Sequence, residues 1–165
     1  VGRIEPPDPL PASVAMTAPK GEQAPVTIAA LGHCEPLVAP FVGWAAALAL
    51  LGALSKRHHE LLALRTAHNC RSDFEWIEHS NFALQAGLTE DEIDRVASDS
   101  HEGWNRNEAL LLIAADELHE RSSITASTWA ELSEYFTMPE LVEAIYVVGQ
   151  YTMLSMVANV ATASD

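Results

Sequence analysis

Residues 59–87 read HELLALRTAHNCRSDFEWIEHSNFALQAG, and this stretch leaves the chain few folds to adopt. Two helical patterns follow one another with only a few residues between them, so the second returns antiparallel against the first. The first starts behind Ser55, a good N-cap, and runs from Lys56 to about His68. Leu61, Leu64 and His68 trace one of its sides, Leu62 and Arg65 another. The second runs from about Ser72 to Ala86, with Gly87 placed to end it. Its polar residues fall in an unusual register. Glu75 and His79 are four apart and share a face, and Ser72 lies one turn before Glu75 on that side. Glu60 belongs to the first helix. Two carboxylates and an imidazole could therefore converge between two helices, and we take them as the candidate site.

The rest of the chain carries helix signals as well. Six of the nine prolines lie within residues 1–26, which predicts an extended, Pro-rich arm rather than a helix. Residues 26–32 form a short helix stopped by Gly32. Pro36 and Pro40 bracket the start of an Ala-rich helix that reaches Leu51, ends at Gly52, and is apolar enough all round to be buried on several sides. Thr89-x-x-Glu92 is a capping box opening a short acidic helix to Ala97. Further helices are expected from Asn105 to about Glu120, from Thr125 as cap to Phe136, and from Pro139 to Val160. No stretch alternates as a strand would. The expected fold is all-α: an arm at 1–26 and one helical domain at 27–165.

Charge and cysteine usage exclude several classes. Nine basic residues against 23 acidic ones give a net charge of −14, and residues 122–165 hold no Lys or Arg. Nucleic-acid binding needs a basic face, so no nucleic-acid partner is expected. The longest apolar run, 41–54, is short of the ~20 residues that span a bilayer, so no membrane partner is expected either. Residues 1–11, without a basic stretch followed by an apolar core, are not expected to act as a secretory signal. Two cysteines, Cys34 and Cys70, in no CxxC arrangement fit a reduced, cytoplasmic protein and exclude a four-thiolate zinc site.

The run ELLALRTAHNCRSDFEWIEHSNFALQAGLTEDEI resembles the core of carboxymuconolactone decarboxylase and alkylhydroperoxidase D-like proteins. ALLLIAADELHERSSITASTWAELSEYF and VGQYTMLSMVANV are similar to the carboxy-terminal half of a decarboxylase-like branch. The resemblance implies an alkylhydroperoxidase D-like helical fold, assembly into trimers or hexamers, and sites near subunit interfaces. In the peroxidase branch the site is a Glu followed by CxxCxxxH. Here the Glu falls on Glu60 and the His on His79, while the two thiol positions hold Ser72 and Glu75. The decarboxylase branch has an aromatic-Glu-Trp-x-x-His run, matched by Phe74, Glu75, Trp76 and His79 with Phe for the usual Tyr.

Thiol peroxidase chemistry needs an attacking and a resolving thiol, so it is not expected. Proton transfer suits what remains: an imidazole beside a carboxylate alternates between base and acid near neutral pH. The expected function is a cofactor-independent lyase or isomerase acting on a small carboxylated lactone or keto acid. Glu60, Glu75 and His79 would be catalytic, and Ser72, Arg65, Gln150 and Tyr151 would bind substrate. Each has a plainer alternative. Glu75 and His79 could be an exposed helix pair, Arg65 a structural salt bridge, and Gln150 with Tyr151 a buried polar pair or subunit contact. Asp116 and His119 form one imperfect half of a di-iron motif, and no metal is expected. Of His58 and His59, at least one should face solvent. Two other functions stay open: a peroxidase-related redox protein using Cys34 or Cys70, and a non-catalytic helical oligomer that binds a small apolar molecule.

Overall fold

The computed structural model describes residues 2–18 and 22–163. Its helices are α1 (Ala12–Ala15), α2 (Val26–Leu31), α3 (Val38–Leu51), α4 (Lys56–Asn69), α5 (Asp73–Gln85), α6 (Glu90–Val96), α7 (Arg106–Arg121), α8 (Ala126–Leu132) and α9 (Met138–Thr162). No strand occurs among the described residues, so the fold is all-α. The chain forms two compact units. One comprises the residues up to Leu51 with those from Met156 onward, the other Gly52–Ser155.

In the first unit the proline-rich segment is not the simple arm expected from its composition. It holds the short helix α1, whose Val14 is fully buried with Ala29 and Val38. Gly32 does not stop the chain; a 3₁₀ segment, Gly32–Leu37, carries α2 onward, with Cys34 in a non-helical conformation ahead of Pro36. The expectation that α3 is buried on several sides fails. Only Val38 and Leu48 are buried, while Leu50 and Leu51 are 68% and 81% exposed. The 26-residue helical stretch Val26–Leu51 and the 25-residue Met138–Thr162 are long and apolar enough to cross a membrane by length and composition.

The second unit is built around α4, in which residues 61–67 are all buried. A helix buried on every side must satisfy any polar group it carries, which sets the terms for Arg65 below. Ser55 caps α4 by accepting the His58 N–H, and the Glu143 carboxylate accepts the N–H groups of Ala53 and Leu54 just ahead of it. Arg57 ties the start of α4 to its neighbours, donating to Glu108 (2.7 Å), Glu92 (2.6 Å) and the Gly87 carbonyl (2.9 Å). Leu61 and Leu64 pack with Ala83, Leu88, Ile93, Val96 and Leu112, flanked by Trp76 and Trp104.

Both ends of α5 are fixed by local chemistry. At its C-terminus Gly87 adopts φ 91°, its N–H bonds Leu84 O and that of Leu88 bonds Ala83 O, which is a Schellman motif. Thr89 and Glu92 then form the expected capping box. The α4–α5 turn repeats the Schellman pattern with Arg71 at the left-handed position (φ 52°), its N–H on His68 O and the Ser72 N–H on Ala67 O. A side chain there costs about 1–2 kcal/mol, part of which glycine's greater unfolded-state freedom offsets. Arg71→Gly should thus stabilise the protein by roughly 0.5–1 kcal/mol, read as a higher denaturant midpoint at unchanged slope.

One boundary differs from expectation. α8 ends at Leu132 rather than Phe136, because Glu134 and Tyr135 turn to three-residue hydrogen bonds on Glu131 and Leu132. Phe136 is still buried.

Candidate active site

The face of α5 that turns inward consists of Glu75, His79 and Ala83, spaced i, i+4, i+8. Ile77 and Leu84, on the opposite side, are 61% and 45% exposed. Burying two ionisable groups while exposing apolar ones is the reverse of a stability-driven pattern, which makes this face the candidate site.

His79 Nδ1 donates to Glu60 Oε2 at 2.7 Å. Its Nε2 lies 3.6 Å from Glu75 Oε2, close enough to feel the charge and too far for a hydrogen bond. The imidazole is therefore held through one nitrogen, with the other facing Glu75. The side chains of Glu60, His79 and Glu75 are 12%, 10% and 4% exposed, so the solvated-pair alternative does not describe them. Tyr151, from α9, sets its ring edge-on to His79 (centroids 4.3 Å apart, 72°), and its hydroxyl oxygen lies 2.9 Å from His59 Nε2.

Ser72 explains how Glu75 is left free. It sits at the N-cap of α5 with Glu75 three residues on, the spacing of a capping box. The Ser72 N–H is already bonded to Ala67 O, and the Ser72 side chain makes no cap bond. Glu75 is thus directed at His79, and Ser72 Oγ is buried without a partner among the described residues. Gln150 Oε1 is buried in the same condition.

Burial pushes the Glu75 carboxyl above the usual carboxylate range; His79 works against this and Glu78 adds to it. Burial pushes His59 down, so its imidazole is neutral near pH 7. The Tyr151 phenol is pushed up by burial and by the charges of Glu60 and Glu75. Glu75 has a consequence for stability. A carboxyl raised on folding binds more protons folded than unfolded, so stability falls as pH rises from about 4.5 through the folded value. Glu75→Gln should flatten that fall and melt higher than the parent at pH 8, with little difference at pH 4.

Glu60, Glu75, His79 and Tyr151 converge; Arg65 does not join them. Its Nε and Nη2 form a bidentate pair with Asp116 (2.6 and 2.8 Å), and its Nη1 donates to the carbonyls of Val96 and Ser98 (2.7 and 2.8 Å). Asn69 donates to the same Asp116, whose carboxyl is held low by Arg65 and Asn69 against the opposing effect of burial. Arg65, Asn69, Asp116 and His119 line a separate cleft of 340 Å³ with Asp99 and Glu120. Among the described residues no group of three or more His, Cys, Asp or Glu is arranged to hold a metal. Cys70 Sγ lies 3.9 Å from His119 Nδ1, its thiol pushed up by burial, and Cys34 is exposed.

His59 is the site residue that the sequence reading missed. It is 3% exposed, whereas a solvent-facing position was expected for it or for His58; His58 is itself partly buried, edge-on to Phe136. The signal was present. Residue 59 precedes Leu62 and Ala63 by one turn, so the buried face of α4 continues back onto it.

Residues 35–116, about half of the chain, match the family model of the carboxymuconolactone decarboxylase family. The chain belongs to the carboxymuconolactone decarboxylase family. The matched segment contains Glu60, Ser72, Glu75 and His79. Two solved structures share the fold with a TM-score of 0.83 and 18% identity each. One is an uncharacterized peroxidase-related protein from Silicibacter sp. TM1040, covering 99% of this chain and 92% of that one. The other is an uncharacterized peroxidase-related protein with an alkylhydroperoxidase AhpD core from Ralstonia eutropha JMP134, covering 100% and 93%. No curated protein matches the chain. The alkylhydroperoxidase D-like fold is thus that of a carboxymuconolactone decarboxylase family member in which Glu60 and Glu75 flank the buried imidazole.

Proposed function

We propose that this family member is a cofactor-independent proton-transfer enzyme, a decarboxylase-type lyase or an isomerase, acting on a small carboxylated lactone or keto acid. The observation that carries the reading is the buried His79, bonded through Nδ1 to Glu60 and open at Nε2 toward Glu75. In decarboxylation the bond to the carboxylate breaks, carbon dioxide leaves, and the electron pair stays on the substrate as an enolate. His79 Nε2 then delivers its proton to the carbon and is reprotonated from solvent. In isomerisation the same nitrogen removes a proton from one carbon and returns it to another. Glu60 stabilises the imidazolium in both cases. Ser72 Oγ offers a donor that a carboxylate oxygen of the substrate would satisfy, and Gln150 lies beside Tyr151. The protein is further proposed to be cytoplasmic and to work as a homo-oligomer, trimer or hexamer. The exposed apolar side chains of α3, of α5 (Ile77, Leu84) and of α9 (Val142, Ile145, Tyr146) support that assembly. Light scattering at micromolar concentration should return at least three chains per particle; a stable monomer contradicts it.

The reaction type is tested by offering the purified protein small β-keto acids and β,γ-unsaturated butenolides, with and without a carboxylate. Carbon dioxide release identifies a lyase, a double-bond shift an isomerase. Tight binding with neither reaction would identify a non-catalytic binder and defeat the reading. The peroxidase-related description of the two fold neighbours favours a second reading, a redox role for Cys70 or Cys34. Peroxide consumption with a dithiol reductant, lost in Cys70→Ser or Cys34→Ser, would establish it.

A further inference from the structure

The proton-transfer reading leaves one requirement unassigned. Loss of carbon dioxide or of a proton beside a carbonyl places negative charge on the carbonyl oxygen, and a hydrogen-bond donor must meet it. Glu60 only accepts. His79 Nδ1 is engaged with Glu60, and Nε2 handles the carbon-bound proton. Arg65 is tied to Asp116. Glu75 lies nearest His79 Nε2, so a proton on it belongs to the imidazole's side of the reaction.

We infer that Tyr151 is the catalytic hydrogen-bond donor to the substrate's carbonyl oxygen, and that His59 is the residue that positions its hydroxyl. The inference rests on the proton-transfer reading above. The phenol packs directly on the reacting imidazole, with ring centroids 4.3 Å apart. Its single proton is useful to a substrate only if it is not spent on the protein. His59 Nε2, 2.9 Å away, decides that. Burial keeps His59 neutral, with one N–H to place on either nitrogen. On Nδ1 it would be a buried donor with no acceptor, because His59 Nδ1 has no partner among the described residues. A stranded N–H is among the least tolerated of buried groups. On Nε2 the hydrogen points at the phenol oxygen, and Nδ1 is left as a bare lone pair.

With the His59 N–H directed at the phenol oxygen, the phenol's own hydrogen is released toward another partner, and the carbonyl oxygen of a ligand beside His79 fills that role. The burial that holds the phenol protonated makes it a donor at all working pH values and never a competing base.

The test follows hydrogen–deuterium exchange at the activated carbons of two probes in D₂O by proton NMR: α-angelica lactone, which is uncharged, and levulinate, a keto acid. Tyr151→Phe keeps the ring against His79 and removes the donor; kcat should fall about 100- to 1,000-fold with KM changed less than about threefold. His59→Leu should lower kcat about tenfold, and His59→Gln, which restores an N–H toward the phenol, should recover most of that loss. The His59 pair keeps the inference testable if Tyr151→Phe folds poorly. Wild-type kcat in Tyr151→Phe, or equal rates in the two His59 variants, overturns the inference while the proton-transfer reading stands. Absence of exchange with both probes in the wild-type protein defeats that reading, and the inference with it.

Discussion

Replacing Arg65 by methionine is expected to destabilise the protein by roughly 3–5 kcal/mol, the cost of stranding one half of a largely buried ion pair. Arg65 sits in the middle of a helix buried on every side, and four of its N–H groups are engaged: two with Asp116, one with Val96 O and one with Ser98 O. Methionine fills similar volume but leaves the Asp116 carboxylate without its counter-ion, with Asn69 as a neutral donor, and two carbonyls without the guanidinium's N–H groups. In a chain of this size the loss corresponds to a melting temperature roughly 6–20 °C lower. Arg65→Lys should recover little, since an ammonium cannot reproduce the bidentate geometry. Arg65→Met with Asp116→Leu should be less damaging than Arg65→Met alone, because the stranded charge is gone. Calorimetry on the three variants distinguishes this role from the substrate-pairing one, which would leave melting nearly unchanged and raise KM instead.

The second large effect is on activity. His79→Gln should lower the rate of any proton transfer at the site by about 100- to 10,000-fold, the usual contribution of a positioned acid–base group. The fold should survive, because the Gln amide can still donate to Glu60 and spares that carboxylate an unpaired burial. His79→Leu would remove the donor as well and should cost about 1–3 kcal/mol of stability. The difference between the two variants separates the chemistry of the imidazole from its structural tie to Glu60. If His79→Gln turned over at the wild-type rate, the working group would lie elsewhere.

How much of this was legible in the sequence depends on the range of the forces involved. Helix limits were readable where a single residue sets them: Ser55, Thr89 with Glu92, Gly87 and Thr125 all cap as their chemistry requires. The Glu75–His79 register was readable because it is local. That Glu60 faces His79 came from a resemblance; spacing alone allowed it without requiring it. Pairings across long separations were not readable. Nothing near Arg65 in the sequence indicates Asp116, and many acids competed for it. Apolar composition also misled. α3 was expected inside because its residues are apolar, yet Leu50 and Leu51 are exposed, since composition states what a side chain prefers and not whether this chain supplies a partner. His59 is polar by type, and its burial is set by its register on the inner side of α4.

The central claim is that His79, held by Glu60 and facing Glu75, moves protons to and from a carbon atom. Its most direct test is the incorporation of solvent deuterium into α-angelica lactone and levulinate at pH 7, followed by NMR with wild-type protein and with His79→Gln. Exchange well above the buffer rate is expected for the wild type with at least one probe, falling to the buffer rate in the variant. Equal rates for the two proteins, or no exchange by either, would contradict it.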